Sequence, residues 1–235
     1  IGLFNMLFIL TVGLYKDVHE LYWFGSNMTL GFLNGVLSAM IALAILPYFE
    51  HLFSITTSQG LLDYNLNHPL LKRMMMTAPG TYQHSLMVAT LSEAAAEAIQ
   101  ADPIVSRIGA YFHDVGKLKR PIFFTENQLT GDNPHDNLSP RMSKLIIAAH
   151  PKDGLELAQK HKLPQVIKDM ILEHHGTTLV SFFFSQALSQ EDHLTNGAEE
   201  DDFRYPGPKP HFKESGILML ADSVEAAARS MEKPT

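Results

Sequence analysis

The chain has 235 residues, a net charge of −7 with acidic residues gathered late, twelve histidines and no cysteine. That length suits one large or two small domains with a proper core. The negative balance argues against a nucleic-acid polymer as partner, which calls for a basic face, and the lack of cysteine excludes disulfides and thiolate metal sites.

Two charge-free runs open the chain, Ile1 to Tyr15 and Leu21 to Phe49. From Thr29 to Phe49 the second would span about 31 Å as a helix, the thickness of a bilayer core. Gly31, Gly35, Ser38 and Ala42 recur at three- and four-residue spacing, a small-residue face suited to packing on another membrane helix. Lys16–Glu20 reads as a polar turn and Tyr22-Trp23-Phe24 as an interfacial cluster. Residues 1–53 are thus expected to be the C-terminal part of a transmembrane region, with one truncated and one full span. Residues 54–235 are expected to form a soluble domain, entered through a linker or a continuing helix at Ser54–Gly60.

Helical periods dominate that domain. Leu61 to Met76 has a helical pattern, with Asn67 or His68 as a cap and Pro69 near N1 of a second segment. After a break at Ala78-Pro79-Gly80, a helix from Thr81 to about Gln100 carries His84 in its first turn. Asp102-Pro103 caps the next, striped by Ile104, Ile108 and Phe112 into His113-Asp114. Arg120 to Pro140, rich in Asn, Asp, Gly and Pro, reads as a long loop. Its second His-Asp step, His135-Asp136, has no helical period around it and is read mainly as a decoy, with a ligand-touching loop as the other reading. Ser139-Pro140 starts a helix ending at His150, Pro151 marks a break, and Lys152 to Lys162 forms another helix. A further helix from Leu163-Pro164 ends at His174-His175-Gly176. Gln190 to Pro210 reads as a solvated acidic loop, and the last helix, from about Lys213, carries Asp222 and Arg229. No strand is expected; the fold class is all-α.

Helix ends therefore present His84, His113-Asp114, His150, His174-His175 and Asp222, each separated from the next by about one helix–loop–helix excursion. A bundle can return all of them to one centre. Five imidazoles and two carboxylates, without thiolate, suit two divalent transition ions such as iron or manganese, with one carboxylate bridging, as in hydrolysis of phosphate esters.

This pattern resembles the HD-domain metal-dependent phosphohydrolase superfamily from about Leu61 to Arg229. The stretches Pro79-Gly80-Thr81-Tyr82-Gln83-His84-Ser85, His113-Asp114-Val115-Gly116-Lys117, Glu126-Asn127-Gln128, His174-His175-Gly176-Thr177-Thr178-Leu179-Val180 and Leu220-Ala221-Asp222-Ser223-Val224-Glu225-Ala226 carry it further. With the preceding apolar spans they look like the cytoplasmic catalytic domain of the seven-transmembrane HD receptor family of bacterial cyclic di-AMP phosphodiesterases. The resemblance implies an HD helical bundle that opens cyclic di-AMP to linear 5′-pApA. It also implies a multi-pass protein of the cell membrane with its HD domain in the cytoplasm, and a homodimer as a possible assembly. By position it places His84, His113, Asp114 and Asp222 at a first metal, and Asp114, His150, His174 and His175 at a second. Asp114 is the expected bridge, and His174 is a firmer ligand than His175. Asp114 and Lys117 are the expected catalytic residues, Lys117 meeting a phosphate oxygen, with Tyr82 and Arg229 as further substrate contacts. A cyclic di-GMP phosphodiesterase is the alternative, against which stands Gly176-Thr177-Thr178 where that group carries Gly-Tyr-Pro. A membrane receptor binding nucleotide without turnover is the alternative outside enzymes.

Overall fold

A computed structural model describes residues 1–53, 58–128, 132–189 and 199–231, and divides the chain into two compact units, Ile1–Ile55 and Thr56–Thr235. The first holds α1 (Gly2–Tyr15) and α2 (Leu21–Phe53), joined across the polar Lys16–Glu20 turn. Small residues let the two approach closely. A Cβ on Gly35 would lie 2.4 Å from Gly2 Cα, one on Gly31 would lie 2.6 Å from Ile9 Cδ1, and Asn5 Nδ2 donates to the Gly31 carbonyl at 3.2 Å. Large apolar side chains remain exposed along both helices, including Leu3, Phe8, Leu33 and Met40. Within α2, Leu21–Leu46 is long and apolar enough to cross a membrane, whereas α1 is shorter. Most of the expected linker, residues 54–57, lies outside the described residues.

The second unit is helical; among its described residues the only extended pairing is an isolated bridge between Leu179 and Arg204. It contains α3 (Ser58–Leu61), α4 (Pro69–Thr77), α5 (Pro79–Ala98), α6 (Pro103–Phe112), α7 (Pro140–Ala148), α8 (His150–Lys160), α9 (Gln165–Glu173), α10 (Ser181–Ser189) and α11 (Lys213–Ser230). Helix α6 runs through the middle, packed on α5, α9 and α11. Asp102 starts it by accepting from the backbone N–H groups of Ile104 and Val105 at 2.9 and 3.1 Å, ahead of Pro103. Its Ile108 and Phe112 join Leu70, Leu71, Met74, Val115, Ile167 and Ile171 in the main apolar core. A second cluster, Val88, Ala89, Ala110, Met170, Leu218 and Ala221, ties α5, α6, α9 and α11 together.

Several boundaries differ from the sequence reading. The pattern over 62–68 is turns and bends rather than helix; His68 is the cap of α4, its Nδ1 accepting from Leu70 N–H at 3.2 Å. Ala78-Pro79-Gly80 does not interrupt the chain for long, because Pro79 opens α5 and His84 falls in its second turn. Proline needs no N–H donor in a first turn, which also explains α8: His150 opens that helix, with Pro151 next, instead of closing α7. The described parts of the expected 120–140 loop, 120–128 and 132–140, contain short 3₁₀ turns at Pro121–Phe123, Thr125–Asn127 and Pro134–Asn137, and 129–131 lie outside the described residues. The Phe182–Phe184 run lies on α10.

Candidate metal centre

His113 and Asp114 do not lie within α6. They follow its last residue, as the chain turns into the 3₁₀ segment Val115–Lys119. That turn lies hard against α8: a Cβ on Gly116 would sit 1.9 Å from the His150 carbonyl oxygen. Only glycine permits this approach, and the approach brings His150 to Asp114. His174 caps α9, and Gly176 two residues later has φ +52, a left-handed conformation that glycine adopts without steric cost. Both histidines of the pair can then turn to one side of the chain.

The seven expected ligands come together. His84, His113 and Asp114 form one buried group whose candidate ligand atoms lie within 4.8 Å of one another, and His150, His174 and His175 form a second. Asp114 stands between them. Its Oδ2 is 3.5 Å from His84 Nε2 and 3.3 Å from His113 Nε2, while its Oδ1 is 3.2 Å from His150 Nε2 and 3.6 Å from His174 Nε2. From α11, Asp222 reaches His84 Nε2 at 2.9 Å and His113 Nε2 at 3.8 Å through Oδ1, and His175 Nδ1 at 3.6 Å through Oδ2.

Tautomers turn the outer ring nitrogens of this site inward. His113, His150 and His174 each donate Nδ1–H to the carbonyl three residues earlier, those of Ala110, Ile147 and Ile171, at 2.8, 2.7 and 2.7 Å. The Nε2 atoms of the neutral rings then carry lone pairs. Those of His150 and His174 face each other across 3.0 Å with no proton left to share. His84 repeats the pattern, giving Nδ1–H to Glu225 at 2.5 Å and facing Asp222 with Nε2. His113 Nε2 and Asp114 Oδ1 are buried without a hydrogen bond among the described residues. Burial alone would lower the His113 imidazole, yet Asp114 and Asp222 outweigh it and raise it to about 10, so its Nε2 lone pair attracts a cation, whether a proton or a metal ion. Burial likewise opposes ionisation of Asp114, but Lys117 and His113 hold its carboxyl well below the usual range. At the second cluster, burial pushes His174 down to about 4 against the pull of Asp114. Converging lone pairs and ionised carboxylates, buried from solvent, fit a pair of bound cations.

Lys117 lies beside this centre, its Nζ 2.6 Å from Asp114 Oδ2 and 2.8 Å from Glu126 Oε1, and 4.9 Å above the Phe124 ring. Burial would lower its ammonium, but the two carboxylates outweigh that and keep it charged. Of the other expected contacts, Tyr82 packs against the main apolar core, and Arg229 pairs with Glu225 at 3.6 Å rather than with any of the seven. His135 belongs to neither ligand group.

Three residues without an assigned role in the sequence reading hold the centre in place. Glu225, one turn beyond Asp222, fixes the ring of His84. That spacing on a helix was a usable signal. Glu126 pairs with Lys117 and accepts from the Thr81 hydroxyl at 3.0 Å, but it comes from a loop with no period to mark it. Tyr205 stacks on His175 at 4.2 Å, and nothing local distinguishes it from a packing tyrosine. Glu225→Gln should weaken divalent-metal affinity by roughly 10- to 100-fold, as loss of an outer carboxylate does, while leaving helix content unchanged. Metal titration beside circular dichroism checks this; unaltered affinity would deny Glu225 any part in orienting His84.

Comparison with known proteins gives three findings. The family described as "HD domain" matches residues 81–227, and "7TM receptor with intracellular HD hydrolase" matches residues 1–57. The chain is 48% identical over 211 residues to the cyclic-di-AMP phosphodiesterase PgpH of Bacillus subtilis (strain 168), covering 89% of this chain and 29% of that protein. It is 44% identical over 238 residues to PgpH of Listeria monocytogenes serotype 1/2a (strain 10403S), covering 100% of this chain and 32% of that protein. The chain thus spans about a third of the length of these curated relatives. The crystal structure of the L. monocytogenes PgpH HD domain in complex with cyclic-di-AMP aligns with a TM-score of 0.68 at 50% identity, over 73% of this chain and 78% of that one.

Proposed function

The chain belongs to the HD domain family, and from this we propose that it is a metal-dependent phosphodiesterase that opens cyclic di-AMP to linear 5′-pApA. One observation carries the reading: a single buried carboxylate, Asp114, turns one oxygen to each of two histidine clusters. Membership of the family implies divalent metal, and the donor set, imidazole and carboxylate without thiolate, favours iron or manganese. His84, His113, Asp114 and Asp222 would hold one ion, and Asp114, His150, His174 and His175 the other. When bound, such a pair supplies Lewis acidity and a nucleophile activated near neutral pH for in-line attack on phosphorus.

The chain's own residues do the rest. Asp114 and Asp222 bring negative charge that holds cations in a nearly water-free site. The carbonyls of Ala110, Ile147 and Ile171 fix three imidazoles with Nε2 facing inward, so little reorganisation is needed at reaction. Lys117 keeps a full positive charge next to Asp114, where a non-bridging phosphate oxygen gains charge as attack proceeds. Hydrolysis adds the water oxygen to phosphorus, breaks the bond to O3′, and leaves a 5′-phosphate and a protonated 3′-hydroxyl.

Both substrate-named relatives in the comparison act on cyclic di-AMP, which favours adenine over guanine dinucleotides. We further propose that residues 1–53 end a multi-pass membrane region, consistent with the apolar Leu21–Leu46 helix, that residues 54–235 face the cytoplasm, and that the protein functions as a homodimer. Detergent-solubilised chain should bind close to two metals and yield pApA from cyclic di-AMP, faster than it cleaves cyclic di-GMP, with iron or manganese. Metal binding without turnover of either dinucleotide would favour a receptor; failure to bind metal would remove the dinuclear reading.

A further inference from the structure

A cleft of about 260 Å³ lies beside the metal centre. Phe123, Phe124, Phe182 and Phe183 line it, together with His135 and Glu126. Two of these residues tie it to the reacting end: Glu126 holds Lys117 at 2.8 Å, and the Phe124 ring stands edge-on to His150 at 5.6 Å. A group in the cleft is therefore one side chain away from the proposed position of the phosphate.

Two features of its wall are out of place in a packing cavity. The Phe182 side chain is 69% exposed, so an aromatic ring is presented to the opening instead of being buried. His135, by contrast, is only 6% exposed, and its ring packs against Phe183 at 4.9 Å and Phe123 at 5.3 Å. Its Nε2 lies 2.9 Å from the Phe123 carbonyl, which can only accept, so the proton is on Nε2. Nδ1 then carries a lone pair, and it has no hydrogen-bond partner among the described residues. A buried acceptor without a donor costs free energy unless a ligand supplies the donor.

Resting on the phosphodiesterase reading, we infer that this cleft takes one adenine of the cyclic dinucleotide, stacked on its phenylalanines, with His135 Nδ1 accepting a hydrogen bond from the N6 amino group. Aromatic walls suit any base, since each has a π face worth stacking. The imidazole adds selectivity. Guanine and hypoxanthine carry an acceptor, O6, where adenine carries a donor, so they set a lone pair against the lone pair of the buried His135 ring. A site built for a hydrogen bond rejects the analogue that cannot make it.

The test compares three substrates on the full chain in detergent with manganese: cyclic di-AMP, the same dinucleotide with hypoxanthine bases, and bis(p-nitrophenyl) phosphate, which has no base. Wild type should favour adenine over hypoxanthine by about tenfold or more in kcat/KM, and His135→Leu should bring the two close together. Phe182→Ala should raise KM for both dinucleotides and leave their ratio alone. Neither change should affect bis(p-nitrophenyl) phosphate. An adenine preference that survives His135→Leu overturns the subsite while leaving the phosphodiesterase reading intact. Wild type inert toward all three substrates with metal bound overturns that reading itself. If His135→Leu does not fold, Phe182→Ala decides, because its ring is exposed and its loss is tolerated; an unchanged KM overturns the cleft as a base site.

Discussion

Asp114→Asn is expected to lower turnover of cyclic di-AMP by about a thousandfold or more and to leave the protein with less than its full metal complement. The substitution preserves shape but removes the negative charge that both clusters share through Oδ1 and Oδ2. An amide can turn only one oxygen to a cation, and its nitrogen would face the lone pairs of the other cluster. Folding should survive, because Lys117 keeps Glu126 as its counter-ion and no buried charge is stranded. His113→Ala should act in the same direction through the first cluster. Elemental analysis of the purified variants, read beside single-turnover rates, checks this. Two metals and near-normal rates in Asp114→Asn would end the bridging role.

Lys117→Ala separates stability from chemistry. The ammonium neutralises Asp114 and Glu126 at once, inside a pocket from which water is nearly excluded. Removing it leaves the Glu126 carboxylate buried with no opposite charge, held by the Thr81 hydroxyl and its own backbone N–H, and breaking a buried pair from one side costs about 3–5 kcal/mol. A denaturant titration should show a loss of that order, and turnover should fall by at least about a hundredfold. Adding Glu126→Gln removes the stranded charge, since a neutral amide can still accept from Thr81. The double variant should therefore regain most of the stability while its turnover stays low. Turnover that returned along with stability would make Lys117 a structural counter-ion and nothing more.

These two variants also mark where local sequence stops being informative. Asp114 was legible beforehand: it ends an apolar helical stripe, directly after a histidine, and the same short-range pattern announced His84, His174, Gly176 and Asp222. The role of Glu126 as the second partner of Lys117 was not. Glu126 comes from a loop of 3₁₀ turns without period, brought to the start of α5 by the close backbone contact of Gly80, where a Cβ would lie 1.8 Å from the Glu126 carbonyl oxygen, and by hydrogen bonds between Thr81 and Asn127. His150 was assigned to the end of the wrong helix for a related reason: a proline after it reads as a break, whereas proline is also welcome in a first turn. His135 shows the opposite case, a loop histidine outside any helical pattern that tertiary packing places in a buried aromatic cleft.

By itself the sequence determined the helical class, the charge-free run Leu21–Phe49, the residue types of the centre and their order along the chain. These rest on short-range properties, namely helical period, caps, prolines and charge-free length, which act between residues a few positions apart. Tertiary structure alone decided that one oxygen of Asp114 faces each cluster, that Glu225 and Glu126 stand behind His84 and Lys117, and that His135 has a ring nitrogen without a partner among the described residues. Such facts concern where side chains from remote segments converge and which protons are left over. They follow from packing whole helices, as when glycine at 116 lets a turn press against α8, and no window of neighbouring residues contains them.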